Sequence, residues 1–447
     1  MKNIFLTLLL VVCSSFAQTN PIITRWLQNT TTTGTYYTSG NSTAISNGIL
    51  VNCQQVSYSA NNVYIKTTGI PAYPVGPYLD GNPNQAGNQN AIFKFPLTPT
   101  PNTGTLTATG LGNIGVCING VAIFNYSDAV SWKSSTGAFA GGPFGGTGDG
   151  VWNRDAIKYE RPGFDCSKGH PAGTNYHHHQ NPSAFKNDLN IISTVCSLYD
   201  ADGLYVINSA QHSPLIGFAY DGYPIYGAYG YANADGTGGI VRMKSSYQLR
   251  NITTRTTYAN GNTVTAGPPV NSTYPLGSFQ EDYEYVAHTG DASYLDVHNG
   301  RFCVTPEYPS GTYCYFATVD ANHNSVYPYM VGPTYYGVYA NRKVTSITET
   351  TTTYTPNLDN QSFDNNSMDI TIFPNPAADL VVIQMGPIVE KNYTIELLDS
   401  NGKLVMSNAI NQGQTLSYLD VQTMHAGVYF VKISDGKSFI TKKIILE

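Results

Sequence analysis

Charge is scarce in this chain: of 447 residues only 12% are Asp, Glu, Lys or Arg, and the formal net charge is -6. Such a balance leaves no electrostatic footprint for nucleic acid. Beyond the first dozen residues no apolar run approaches the roughly 20 residues that span a bilayer, which excludes a transmembrane helix from the body of the chain. Signature motifs are missing too. There is no Ser-His-Asp elbow, phosphate loop or dinucleotide fingerprint, and the Gly-rich stretch 141–150 lacks the strand-to-helix setting those motifs need. No catalytic residue is nominated on such grounds.

What is present is 34 Tyr and 43 Gly, with abundant Thr, Asn and Ser. Aromatic and β-branched side chains pack on pleated surfaces, while Gly, Asn and Asp supply turn geometry. The expected fold is therefore mainly β: a large, irregular β-rich domain with long loops, then a small C-terminal antiparallel β-sandwich. A length of this order holds about two or three domains.

Residues 1–17 read as a signal peptide, with Lys2 as the basic region, an apolar run from Ile4 to Val12, and Ser15-Phe16-Ala17 as a small-x-small cleavage site. Cys13 would be lost with it; a lipid-anchored Cys13 ranks second, because Val12 is bulky. Six cysteines then remain: Cys53, Cys117, Cys166, Cys196, Cys303 and Cys314. An even count in an exported chain suggests disulfides, with 15 connectivities open. A turn centred on Tyr308 and Pro309 would set Cys303 opposite Cys314, close enough to bond; two buried thiols are the alternative.

Three further segments follow. From 19 to 342 the chain is Tyr- and Gly-rich, with short apolar runs broken by turn residues. Within it, Ser135 to Gly150 holds seven glycines and reads as a mobile loop. The polar stretch 343–368 has little to bury and reads as a flexible linker. From 369 to 447, apolar positions at Ile370, Ile372, Leu380 to Ile383, Tyr393, Ile395 and Leu397 recur between turns at Asn401-Gly402 and Asp435-Gly436, the pattern of a small antiparallel sandwich. Phe373-Pro374-Asn375-Pro376-Ala377-Ala378-Asp379, Gly427-Val428-Tyr429-Phe430-Val431 and Lys442-Lys443-Ile444-Ile445 resemble the type A C-terminal sorting domain of type IX secretion. That resemblance implies type IX machinery as a partner and an extracellular or outer-surface location.

Eight of the nine histidines lie between His170 and His323. The densest run is Tyr176-His177-His178-His179. If it is extended, His177 and His179 share one face and His178 takes the other. Two imidazoles on one face make half of a site for a transition metal such as zinc, copper or iron. This run, the His212-Ser213-Pro214 to Gly227 segment and Asn299-Gly300-Arg301 to Pro309 resemble the YHYH-domain proteins, as do Asn119 to Asn125 and Gly69-Ile70-Pro71. The likeness spans roughly 45–340. His178 departs from it, standing where the pattern has a second Tyr. The resemblance implies a shared fold but supplies no activity.

Candidate partners for His177 and His179 are His170, His212, His298 and Asp221, each in or beside such a motif. Three His with a carboxylate suit zinc or iron, and three His with an open position suit zinc hydrolysis or copper chemistry. The competing readings are structural. Histidines in a Tyr-rich β-protein also donate to carbonyls or stack on rings, and Asp221-Gly222 is a turn former. His288 and His323 are set aside as structural, and His425 in the tail as incidental. Tyr220, Tyr223, Tyr226, Tyr229 and Tyr231 could stack on sugars, although many must be core. Arg301 and Glu307 are expected to pair across the base of the cysteine hairpin. Three functions stay open: metal binding at the cell surface, a metal-dependent extracellular hydrolase or oxidase, and a metal-free glycan-binding or adhesion module.

Overall fold

The computed structural model describes residues 19–41, 43–82, 84–182, 208–356, 370–385, 391–400, 402–435 and 439–447. The segment 1–17 read as a signal peptide, Cys196, and the turn residues Asn401 and Gly436 lie outside the described residues. The fold is mostly strand with little helix, and the chain divides into two compact units at Pro356 and Asn357.

Two large sheets dominate the first unit. One has eight strands in the order 169–172, 175–178, 122–124, 113–117, 215–219, 224–226, 312–316 and 300–303. Two of its pairings are parallel, 175–178 with 122–124 and 224–226 with 312–316, and the others are antiparallel. The other is antiparallel, in the order 343–344, 91–96, 62–67, 53–58 and 352–354. One apolar core joins them. The Trp26 ring lies 5.8 Å from Phe95 of one sheet and 5.4 Å from Phe218 of the other. A three-stranded sheet, 153–155, 127–133 and 138–141, carries a satellite core of Trp132, Trp152 and Phe279.

A charge-poor chain still buries Asp155, Asp165 and Asp221 and half-buries Asp296 and Glu307, and tyrosine donates to all five. Phenol hydroxyls donate from Tyr176 to Asp165, Tyr226 to Glu307, Tyr313 to Asp296, Tyr315 to Asp221 and Tyr329 to Asp155, at 2.5 to 2.9 Å. A buried acceptor left without a donor costs about 1–3 kcal/mol, so these pairs remove a large penalty without adding basic residues. The five tyrosines considered for sugar stacking are mostly core: Tyr220, Tyr223, Tyr226 and Tyr229 are buried.

Several sequence expectations change. Within the stretch read as linker, Lys343–Val344 and Thr352–Tyr354 add edge strands to the five-stranded sheet. Thr352, Thr353 and Tyr354 all carry hydroxyls and are exposed or half-buried, which suits a sheet edge. The Gly-rich stretch 135–150 includes the paired strand Ala138–Gly141. In the cysteine hairpin Cys303 pairs with Thr312 and Cys314 with Arg301, a register two residues from the expected one. The two sulfurs are thiols 3.3 Å apart. Arg301 donates to the carbonyls of Tyr231, Ala232 and Ala292, while Glu307 pairs with Arg25 at 3.5 Å. Backbone acceptors took the guanidinium that was expected to reach Glu307.

The second unit is an antiparallel sandwich of a three-stranded sheet (370–373, 380–385, 416–420) and a four-stranded one (404–410, 393–398, 427–434, 439–446). Val381, Ile383, Leu419, Ile395, Leu397, Val431 and Ile433 fill its core.

Candidate metal centre

The strands Gly169–Ala172 and Asn175–His178 form a tight hairpin at one edge of the eight-stranded sheet, turning through Gly173 at φ 60°. Their register sets His170 directly across from His177. Alternation then sorts the His run. His178 faces away, its Nε2 2.8 Å from the Tyr73 hydroxyl, and Tyr176 on the same side reaches Ser167 and Asp165. Gly169 has to be glycine, since a Cβ there would sit 2.3 Å from the Tyr176 hydroxyl oxygen. His177 and His179 take the opposite side with His170. These three imidazoles are buried, and their ligand atoms lie within 4.8 Å of one another.

The neighbouring strand Ala122–Phe124 braces them. Phe124 stacks on the His177 ring at 3.7 Å and meets His179 edge-on at 5.9 Å. Phe164 meets His170 edge-on at 4.9 Å. The His177 Nδ1 lies 2.9 Å from the Asn175 carbonyl oxygen, and the His179 Nδ1 lies 2.5 Å from that of Asn125. A carbonyl only accepts, so both Nδ1 atoms carry a proton, and each ring when neutral presents its Nε2 lone pair. Those two Nε2 atoms face each other at 3.0 Å.

Sequence reasoning did not nominate the fourth member, Glu160. It closes the short helix Ala156–Tyr159, which Asp155 caps by accepting from the Lys158 amide. The Glu160 Oε2 lies 3.0 Å from His179 Nε2 and 3.3 Å from His170 Nε2. Its signal in the sequence is faint: a lone acid between Tyr159 and Arg161, ten residues before His170. Burial pushes the Glu160 carboxyl up, but the His170 and His179 imidazoles outweigh it and hold it well below the usual range. Burial likewise disfavours a charged His179, and Glu160 outweighs it, so that ring ionises more readily than usual. Burial drives His177 well below its ordinary value, helped by the charges of His179 and His170.

The remaining nominees lie elsewhere. His212 precedes the strand 215–219, which is three strands away from 175–178 and therefore about 14 Å across the sheet. Its Nδ1 bonds the Ser213 carbonyl and its ring packs against Tyr226 and Tyr231. His298 lies by the opposite edge, bonded through Nδ1 to the Thr334 carbonyl. Asp221 is a buried turn residue that accepts from Tyr315 and the Gly337 amide. Motif proximity in sequence grouped these three with the cluster; strand order separates them.

Beside the cluster, Asp155 is buried and its pKa rises from 3.8 to about 7, chiefly through burial, against the Tyr329 hydroxyl and backbone amides that hold the charged form. A carboxyl with a raised folded pKa binds more protons folded than unfolded, so its contribution is full below about pH 4 and is lost as pH rises towards 7. Asp155→Asn should therefore gain stability relative to wild type across that window, by about 1–4 kcal/mol at pH 8. Denaturant titrations of both proteins at pH 4, 6 and 8 test this, and a difference independent of pH would refute it.

A family model described as YHYH protein matches residues 92–328. A second, described as a secretion system C-terminal sorting domain, matches residues 371–447. No curated protein matches this chain.

Proposed function

This chain belongs to the YHYH protein family, and from that premise we propose that it is an exported metal-binding protein holding one transition-metal ion through His170, His177, His179 and Glu160. The sorting domain sends it through the type IX route to the cell surface or the extracellular space. No helix among the described residues is long and apolar enough to cross a membrane.

One observation carries the metal reading. Metal-ligating atoms converge in a buried space: the His177 and His179 Nε2 atoms lie 3.0 Å apart, and the Glu160 Oε2 lies 3.0 Å from His179 Nε2 and 3.3 Å from His170 Nε2. Glu160 Oε2 and His170 Nε2 are buried without a hydrogen-bond partner. Lone pairs pressed together in a low dielectric repel unless a proton or a metal cation lies among them. Bonds of about 2.1 Å in a tetrahedron put ligand atoms roughly 3.4 Å apart, inside the observed span. Each Nδ1 anchored on a carbonyl is the outer support that metal-bound imidazoles use. Three neutral nitrogens and one carboxylate suit borderline cations such as zinc, iron or copper, whereas calcium and magnesium demand oxygen cages.

Glu160→Gln keeps the shape of the side chain and removes its charge. Four ligands sharing the ~10–16 kcal/mol of a zinc site are worth about 3 kcal/mol each, so affinity should fall roughly a hundredfold. Competition against a chromophoric chelator measures it. Unchanged affinity would remove Glu160 from the ligand set.

A further inference from the structure

We propose that the outward face of the three-stranded sheet in the tail is the surface on which a protein receptor of the type IX machinery docks. The inference is independent of the metal site.

A small sandwich buries one side of each sheet in its own core and shows the other to water, so outward positions should be polar. In the four-stranded sheet that expectation is met in part, by charged residues among the apolar ones. Glu396 and Lys432 pair at 2.8 Å, Phe430 sits across from Lys443, and the exposed Phe439 ring is covered by the Lys432 ammonium at 5.2 Å. Its outward apolar residues, Val428 paired with Ile445 and Leu398 between Leu404 and Phe430, share that side with Glu396, Lys432 and Lys443.

The three-stranded sheet departs from it. Val381, Ile383, Ser417 and Leu419 turn inward, which sends Leu380, Val382, Leu416 and Tyr418 outward. The register aligns Phe373 with Val382 and Val382 with Tyr418, so an apolar row runs straight across all three strands. Leu380 and Leu416 extend it to either side along the strands. Phe373 is 42% exposed, Leu380 42%, Leu416 37% and Tyr418 50%. The outward positions of the described strands carry no Lys or Arg; the uncharged Thr371 and Gln384 flank the row, and Asp420 stands at one end. Contiguous apolar surface of this kind marks protein interaction sites and is otherwise an aggregation liability. The matched sorting domain identifies the occupant, because a sorting tail acts by being read by the secretion apparatus. The receptor should offer an uncharged, apolar complement.

The test uses the full chain, expressed in a bacterium with an active type IX route. Phe373→Glu with Tyr418→Glu places charge in the centre of the row. Val428→Glu with Ile445→Glu places the same charge on the other sheet, where both residues are comparably exposed. The first pair should cut the exported fraction at least tenfold, with the chain retained inside the cell envelope. The second pair, and the conservative Phe373→Leu with Tyr418→Phe, should export like wild type. Each purified variant is checked for the same unfolding transition of the tail, so that lost export cannot be lost folding. Wild-type export of the first pair, or equal loss in both charged pairs, overturns the proposal. So does a wild-type dimer that the first pair dissociates while its export is unchanged, since that would make a second copy the occupant.

Discussion

Replacing His177 and His179 together by alanine is expected to drop the metal content of the untagged protein from about one atom per chain to background, the four-ligand set having lost half its donors. Glu160 and His170 would remain, and two ligands do not hold a borderline cation against water and buffer. The rings are also packing elements, since Phe124 stacks on His177. Circular dichroism and thermal unfolding must therefore accompany elemental mass spectrometry. The informative outcome is a variant that unfolds cooperatively and binds no metal after reconstitution. A cooperative variant carrying as much metal as wild type would place the site elsewhere.

The largest effect on stability is expected at Arg255. Its guanidinium and the Asp282 carboxylate are both fully buried and joined by two contacts, Nε to Oδ1 at 2.8 Å and a second guanidinium nitrogen to Oδ2 at 2.9 Å. The same guanidinium donates to the carbonyls of Pro268, Pro269 and Pro275. Asp282 in turn accepts the amides of Gly277, Ser278 and Phe279. Arg255→Met roughly preserves the stem but strands a buried carboxylate and three carbonyls, a loss of about 3–5 kcal/mol. The segment it anchors bridges to Arg154 through Phe279, in the strand that leads into the Glu160 helix. Denaturant unfolding should show the loss, and metal binding should weaken in parallel. A change under 1 kcal/mol would mean that water reaches Asp282.

How much of this was legible beforehand follows physical lines. Period-two alternation was enough to read the tail as a sandwich and to place His177 and His179 on one face, because strand geometry fixes those outcomes locally. The strand order of the eight-stranded sheet is not local. It keeps His212 and His298 away from the cluster, whereas His170 joins through the local register of the hairpin 169–178; no spacing in the chain encodes the strand order. Glu160 was invisible for the same reason: it reaches the site from the end of a four-residue helix with no periodic signature. The cysteine hairpin shifted by two residues because the turn is built on Thr305, whose hydroxyl and carbonyl both accept from the Tyr308 amide, and not on Tyr308 and Pro309 alone. Polarity misled in 343–356, since hydroxyl-rich strands at a sheet edge look like linker in composition.

The central claim is that three imidazoles and one carboxylate meet on one ion. X-ray absorption at the metal edge of the reconstituted, untagged protein tests it most directly. The account predicts nitrogen and oxygen ligands at about 2.0–2.2 Å with outer-shell scattering from about three imidazoles. A spectrum without imidazole scattering, or one in which the His177→Ala, His179→Ala variant matches wild type, would contradict it.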